Sequence, residues 1–311
     1  MLIRPKNRDT SILEKRFQSG LIAVVAIGLL GLATTVFVHQ MQNISSNLPA
    51  GIRALYGSGG TLIIAGGGIL PEVIPSRFCE LAGGARARLV VIPAYDATPN
   101  EERGLIREWK QRRVASVDVA LTRSRDDEAS SCLVSKIKNA TGVWITGGEQ
   151  TTPAIYYPGT EVESELWNLL ERGGVIGGTS AGAAIMSRVM IEEGGRGKEV
   201  KTRQGLDLMR GAVIDQHFMQ RNRLSRWRGV LDQHPSVIGI GIDEGTALMV
   251  KVDTGRLSVI GNSYVMLWAP SGTPSPHRAE ILKAGDTYDL DELDWDNAQL
   301  DYRMQADEGS S

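Results

Sequence analysis

The chain is 311 residues long and 42% hydrophobic, and it sets 34 basic against 36 acidic side chains for a net charge of −2. That length and apolar content suffice for one large domain or two small ones, and the balanced charge excludes the basic footprint of a nucleic-acid-binding domain. Its two cysteines, Cys79 and Cys132, are too few for a disulfide scaffold and stand in no metal-ligand spacing; two buried thiols are expected, with a single bridge as the alternative.

In chain order, residues 1–19 carry Arg4, Lys6, Arg8, Lys15 and Arg16, and residues 20–38, GLIAVVAIGLLGLATTVFV, run without a charge. About 20 apolar residues span a hydrocarbon core, and a basic N-terminal flank stays cytoplasmic. The rest of the chain is therefore expected on the periplasmic or extracellular face. Val38, His39, Gln40 and Met41 offer no small-residue cleavage pattern, which favours an uncleaved, membrane-holding signal anchor over a processed signal peptide. Residues 39–59 read as a polar linker.

A folded domain is expected over residues 60–285. TLIIAGGGI and ARLVVIPAYD read as buried strands ending in turns, EERGLIREWKQRR as a helix, VASVDVAL as a strand, and ATGVWITGGEQ as a strand ending in glycines. Continuous apolar strands alternating with helices predict an α/β domain, a parallel sheet flanked by helices on both faces. Ligands of such sheets bind beyond the carboxyl ends of the strands. The turns after Ala65, Thr146 and Ile176 are expected at that edge.

GVIGGTSAGAAIM reads as strand, sharp turn and helix, with Gly178, Thr179, Ser180, Ala181 and Gly182 fitting G-x-S-x-G. Small neighbours permit a strained turn that lifts the serine hydroxyl clear of the sheet, and a helix N-terminus favours developing negative charge. A tightly packed Gly-Ser turn without chemistry produces the same five residues. A nucleophilic serine needs a base, and there are four histidines. His39 ends the apolar run, His277 lies near the polar end, and His234 precedes a proline. His217 instead follows the apolar strand Ala212–Ile214, at the same sheet edge as Ser180 if that strand is parallel too.

WITGGEQ, GGTSAGAAIM, VIDQHFMQRNRLSRW and GIGIDEGTAL, in order between residues 60 and 265, resemble segments of the cyanophycinase family. These are serine peptidases related to dipeptidase E, with a flavodoxin-like sheet similar to that of class I glutamine amidotransferases. The family cleaves cyanophycin, a poly-aspartate chain bearing arginine on each β-carboxyl, into β-Asp-Arg dipeptides. The resemblance implies Ser180 as nucleophile, His217 as general base, and a groove lined by Gln150, Asp215, Gln216, Arg221, Arg223 and Arg226. It implies no cofactor and no metal, and it is compatible with a homodimer, since relatives tend to dimerise. Each guanidinium can fork onto a carboxylate, although alone the three arginines read as a solvated basic face. Gln150 either binds substrate or caps the following helix. Backbone N–H groups of Ala181 and of the turn at Gly147 and Gly148 are the expected oxyanion donors.

The acid that should orient the imidazole is expected between Ser180 and His217, as in dipeptidase E-like enzymes: Glu193 first, then Glu199. Asp243 and Glu244, closing an apolar strand, either shape the pocket or form a plain turn. Residues 286–311 are an acidic tail in which Trp295 and Tyr302 either pack peripherally or remain unpacked. Two other functions stay open: a dipeptidase E-like peptidase acting on small aspartyl or isoaspartyl peptides, and a catalytically inactive peptide-binding domain. An α/β-hydrolase is disfavoured, because only 37 positions separate Ser180 from His217.

Overall fold

The computed structural model describes residues 59–195, 198–269 and 279–290. The segments 1–19 and 20–38, nearly all of the linker, and residues 291–311 with Trp295 and Tyr302 lie outside them. Among the described residues no helix is long and apolar enough to cross a membrane.

The elements run β1 (Thr61–Ala65), α1 (Val73–Leu81), β2 (Arg88–Ala94), α2 (Pro99–Lys110), β3 (Ser116–Val119), α3 (Asp127–Asn139), β4 (Gly142–Gly148), α4 (Thr151–Tyr156), α5 (Glu161–Glu171), β5 (Val175–Thr179) and α6 (Ala181–Ala184). There follow β6 (Val189–Gly195), β7 (Lys198–Gln204), β8 (Ala212–Gln216), α7 (Leu224–Gln233), β9 (Ile238–Ile242), β10 (Thr246–Lys251), β11 (Arg256–Gly261), β12 (Tyr264–Trp268), β13 (Ala279–Lys283) and β14 (Thr287–Asp289).

The large sheet has eight strands in the order β14-β11-β10-β1-β5-β4-β2-β3. From β1 to β3 every pair is parallel, so the turns after β1, β4 and β5 do share one edge. Both faces of these strands are covered, and that is why they read as unbroken apolar runs. Leu62 and Ile64 of β1 pack with Leu133 and Ile137 of α3 and Leu166 and Leu169 of α5. Ile63, between them, faces Ile74 and Phe78 of α1. On that second face Trp144 meets Phe78 and Trp109 at ring separations of 5.1 and 5.2 Å. Thr98 starts α2 with a capping box completed by Glu101, satisfying backbone donors that would otherwise be orphaned.

The expectation of a parallel sheet holds for only part of it. β10 pairs antiparallel with β1, β11 with β10, and β14 with β11. For the β10–β11 pair the cause is connection length. A parallel return needs a crossover of about a dozen residues or more, whereas β10 and β11 are joined by Val252–Gly255 alone, with Gly255 at φ 66°. Sheet pairing also continues to Asp289, beyond the expected boundary at residue 285.

β8 lies in another sheet altogether, of order β13-β12-β9-β8, where it pairs parallel with β9. One face of this sheet, through Ile214, Ile240 and Leu267, joins the large core. The other is covered by Phe218 and by Trp227 of α7, whose rings take the space left by the glycines of the Ile238–Ile242 run. β6 and β7 form a separate hairpin. Cys79 is buried, as expected, but Cys132 is exposed on α3, and both are free thiols.

Candidate active site

Ser180 sits at the hinge between β5 and α6, with φ 52° and ψ −111°. A non-glycine residue in that region is strained, and the surroundings hold it there. Its N–H donates to the Ala65 carbonyl at 3.1 Å. A Cβ on Gly178 would meet the Gly182 carbonyl oxygen at 2.4 Å, and one on Gly182 would meet the Ile145 carbonyl oxygen at 2.1 Å. Both glycines of the G-x-S-x-G run are thus required by backbone-to-backbone contact.

His217 comes from the second sheet, where β8 ends, yet it reaches the same place. Its N–H donates to the Gly66 carbonyl at 2.7 Å, so the turn after β1 holds both residues through adjacent carbonyls. The Nε2 atom lies 2.8 Å from Ser180 Oγ. Gly67, at φ 96°, lets the ring lie flat on this turn, since a Cβ there would come within 2.4 Å of Cε1.

His217 Nδ1 is 2.5 Å from Glu244 Oε1. A carboxylate only accepts, so Nδ1 carries the proton and Nε2 is left to accept from the serine hydroxyl. Burial holds the imidazole below its ordinary pKa, opposed by the bond to Glu244, while the nearby Arg221 charge pushes it down further. The ring is therefore neutral at pH 7, the form a general base requires.

Glu244 takes the position for which Glu193 or Glu199 was expected. Glu193 lies on the β6–β7 hairpin, 62% exposed and bonded to Lys201 at 2.6 Å, and Glu199 is exposed on β7. The imidazole Nδ1 is taken by Glu244 instead. The sequence signal for Glu244 was an acid placed directly after the apolar β9. Asp243, its buried neighbour, accepts from the Met219 N–H at 3.0 Å and from Ser263 Oγ at 2.8 Å. It thereby fixes the loop after His217.

Five of the six remaining polar candidates, all but Arg221, form one connected network beside this pair. Asp215 is 1% exposed and accepts from Arg223 Nη1 at 2.8 Å, and from Arg226 through Nε at 2.8 Å and Nη2 at 2.5 Å. Arg223 also donates to Gln216 Oε1 at 3.0 Å, and Gln216 donates to Gln150 Oε1 at 3.3 Å. Gln150 in turn donates to the Ile191 and Glu192 carbonyls at 2.7 and 2.6 Å. It makes no side-chain cap on α4, which removes the capping alternative. Arg221, exposed, lines a groove of about 380 Å3 with Arg223, Arg226, Asn222, Ser225 and the turn at Gly194 and Gly195.

Ala181 begins α6 directly after the serine, so its N–H points from a helix N-terminus. Gly147 faces Ser180, its missing Cβ position 3.5 Å from the serine Cβ, whereas that of Gly148 faces Ala94 and Tyr95. Among the described residues there is no group of three or more His, Cys, Asp or Glu that could hold a metal ion.

Residues 62–258 match the model of peptidase family S51. A cyanophycinase of Synechococcus elongatus is 32% identical over 262 residues, covering 74% of this chain and 79% of the relative. One of Nostoc sp. is 33% identical over 236 residues, covering 68% and 78%. Among solved structures, a peptidase from an acI-B1 actinobacterium superposes with a TM-score of 0.60 at 22% identity, over 76% of this chain and 98% of that one. At that identity the likeness concerns the fold.

Proposed function

The chain belongs to peptidase family S51 and is a serine-type peptidase, and we propose that it cleaves cyanophycin into β-Asp-Arg dipeptides with Ser180 as nucleophile, His217 as base and Glu244 as the acid that orients it. The observation that carries the reading is the line from Ser180 Oγ through His217 to Glu244, with steps of 2.8 and 2.5 Å, beside an arginine-lined groove.

In this mechanism His217 Nε2 takes the hydroxyl proton as Ser180 Oγ bonds to the scissile carbonyl carbon. The carbonyl oxygen becomes an oxyanion facing the Ala181 N–H, with the glycine turn at Gly147 and Gly148 beside it. Collapse breaks the C–N bond, and the imidazolium returns its proton to the leaving amine. Water then enters, gives a proton to His217 and its hydroxyl to the acyl carbon, and Ser180 is regenerated as the ester C–O bond breaks. Glu244 holds the Nδ1–H tautomer throughout and balances the transient positive ring.

Each repeating unit of the polymer carries a carboxylate and a guanidinium. Arg221 supplies an exposed fork for the carboxylate, while Arg223 and Arg226, already committed to Asp215, shape the groove wall. The network from Gln150 to Asp215 supports the reading by keeping that wall fixed relative to the nucleophile. The apolar run 20–38 adds a location to the proposal, with the peptidase outside the cytoplasm and tethered or released. Sequencing the mature N-terminus distinguishes these two.

The test is incubation of the purified protein and its Ser180→Ala variant with cyanophycin. Soluble β-Asp-Arg from the wild type alone is the expected result. An intact polymer together with turnover of short aspartyl peptides would move the assignment to a dipeptidase. Failure of a fluorophosphonate to label Ser180 in folded protein would favour a binding domain.

A further inference from the structure

The acid of the site stands on an open turn. The Glu244 side chain is 36% exposed, against 7% for His217, so a carboxylate in contact with water has to be aimed if it is to meet Nδ1 at 2.5 Å. Three consecutive N–H groups fix this turn. Asp243 donates to the Tyr264 carbonyl at 3.2 Å, and Gly245 to the Gly67 carbonyl at 2.9 Å. Between them the Glu244 N–H goes to a side chain instead, Gln220 Oε1, at 3.0 Å. A backbone N–H only donates, so the atom facing it is the oxygen of the glutamine amide.

Gln220 comes from the loop that carries the base. The His217 carbonyl accepts from the Arg221 N–H at 3.0 Å, closing one turn over residues 217–221. From that turn Met219 gives its N–H to Asp243 Oδ1 at 3.0 Å, and Gln220 takes the N–H of the next residue, Glu244. The loops after β8 and β9 are thus clasped in both directions, with one donor from each. The two halves of the clasp have different surroundings. Asp243 is buried, and its second oxygen accepts from Ser263 Oγ at 2.8 Å, so its loss would leave enclosed donors unpaired. Gln220 is exposed, where a hydrogen bond adds little to folding, yet its bond closes on the residue whose carboxylate must face the imidazole.

We propose, on the reading of Glu244 as the orienting acid, that Gln220 is a positioning residue: by holding the peptide plane before Glu244 it aims the carboxylate at His217 Nδ1, without itself meeting the reacting atoms. When the amide oxygen is removed, the Glu244 N–H turns to water and the plane between residues 243 and 244 is free to rotate. The carboxylate then spends less time on the ring, and the Nδ1–H tautomer that leaves Nε2 open to the serine is held less firmly. The main-chain bonds of Asp243 and Gly245 keep the turn folded, so the loss falls on the reaction and not on stability.

The rate at which a fluorophosphonate labels Ser180 in the full-length protein tests this, because labelling needs the activated serine but no particular peptide. Gln220→Ala should slow labelling by about 3–10-fold, the worth of one such hydrogen bond, with Tm unchanged. The acid limb of the labelling rate should also move to lower pH, since the bond to Glu244 raises the pKa of the ring and that bond is weakened. Gln220→Glu keeps an acceptor oxygen and should restore the rate. In a Glu244→Gln background, Gln220→Ala should add no further loss, because both changes act through one bond. A wild-type rate in Gln220→Ala would overturn the proposal while leaving Ser180, His217 and Glu244 in their roles, and so would a full additional loss in the Glu244→Gln background. An unchanged rate in Glu244→Gln alone would overturn both.

Discussion

The nucleophile and its base reach the same point from regions built on different principles. Ser180 is delivered by the parallel strands of the large sheet, where glycines touch backbone and leave no room for a side chain. His217 and Glu244 are delivered by loops that follow β8 and β9, where buried charges and hydrogen bonds fix positions. Steric exclusion writes itself into neighbouring residues. A polar network joins residues far apart in the chain, so only the assembled fold displays it.

The two regions can be separated experimentally. Ser180→Ala removes the bond-forming atom and should lower kcat by about 10⁶-fold with no loss of thermal stability, the scale at which a nucleophile acting in concert with its base is lost. Glu244→Gln keeps the shape but not the charge, and kcat is expected to fall by about 10⁴-fold. An unchanged rate in that variant would remove Glu244 from the mechanism. Asp215→Asn leaves the guanidiniums of Arg223 and Arg226, 11% and 8% exposed, without their carboxylate. The expected cost is about 3–5 kcal/mol of stability, read as a fall of roughly 10 °C in Tm.

The pH profile sharpens the contrast further. His217 must be neutral to act, and its folded pKa is held below the ordinary value of 6.5. The acid limb of kcat/KM should thus lie below about 6.5, with activity present above it and lost as pH falls through the lowered pKa. Since the bond to Glu244 is the largest upward influence on the ring, Glu244→Gln should move that limb lower still as it slows the reaction. Stability follows the same sign, because below the ordinary histidine pKa the unfolded chain takes up the proton more readily. The smallest effect belongs to Glu193→Gln. With both partners of its ion pair 62% exposed, stability should change by no more than about 0.5 kcal/mol and kcat should not change.

The same contrast explains what could be read from the sequence. β1, β2, β4 and β5 were legible as apolar runs, and Ser180 as the centre of a knot of small residues. The antiparallel part of the large sheet was not, because an apolar run does not record the direction of its partner, and only the β10–β11 pair has a connection short enough to dictate it. Placing β8 in the large sheet failed for a related reason: an apolar pentapeptide does not record which sheet receives it. Glu244 was visible as an acid after a buried strand, but its link to His217, 27 residues earlier, exists only once β9 lies beside β8. Glu193 and Glu199 were nearer in sequence and satisfied the same chemical requirement, yet their hairpin turns them to solvent.

Ala65 and Gly66 offer consecutive main-chain oxygens, one to the serine amide and one to the histidine amide. The two reacting groups are thus gauged against a ruler that carries no side chain, and replacing a groove residue leaves its graduations untouched. Such a scaffold can drift widely in what it grips while conserving how it cuts.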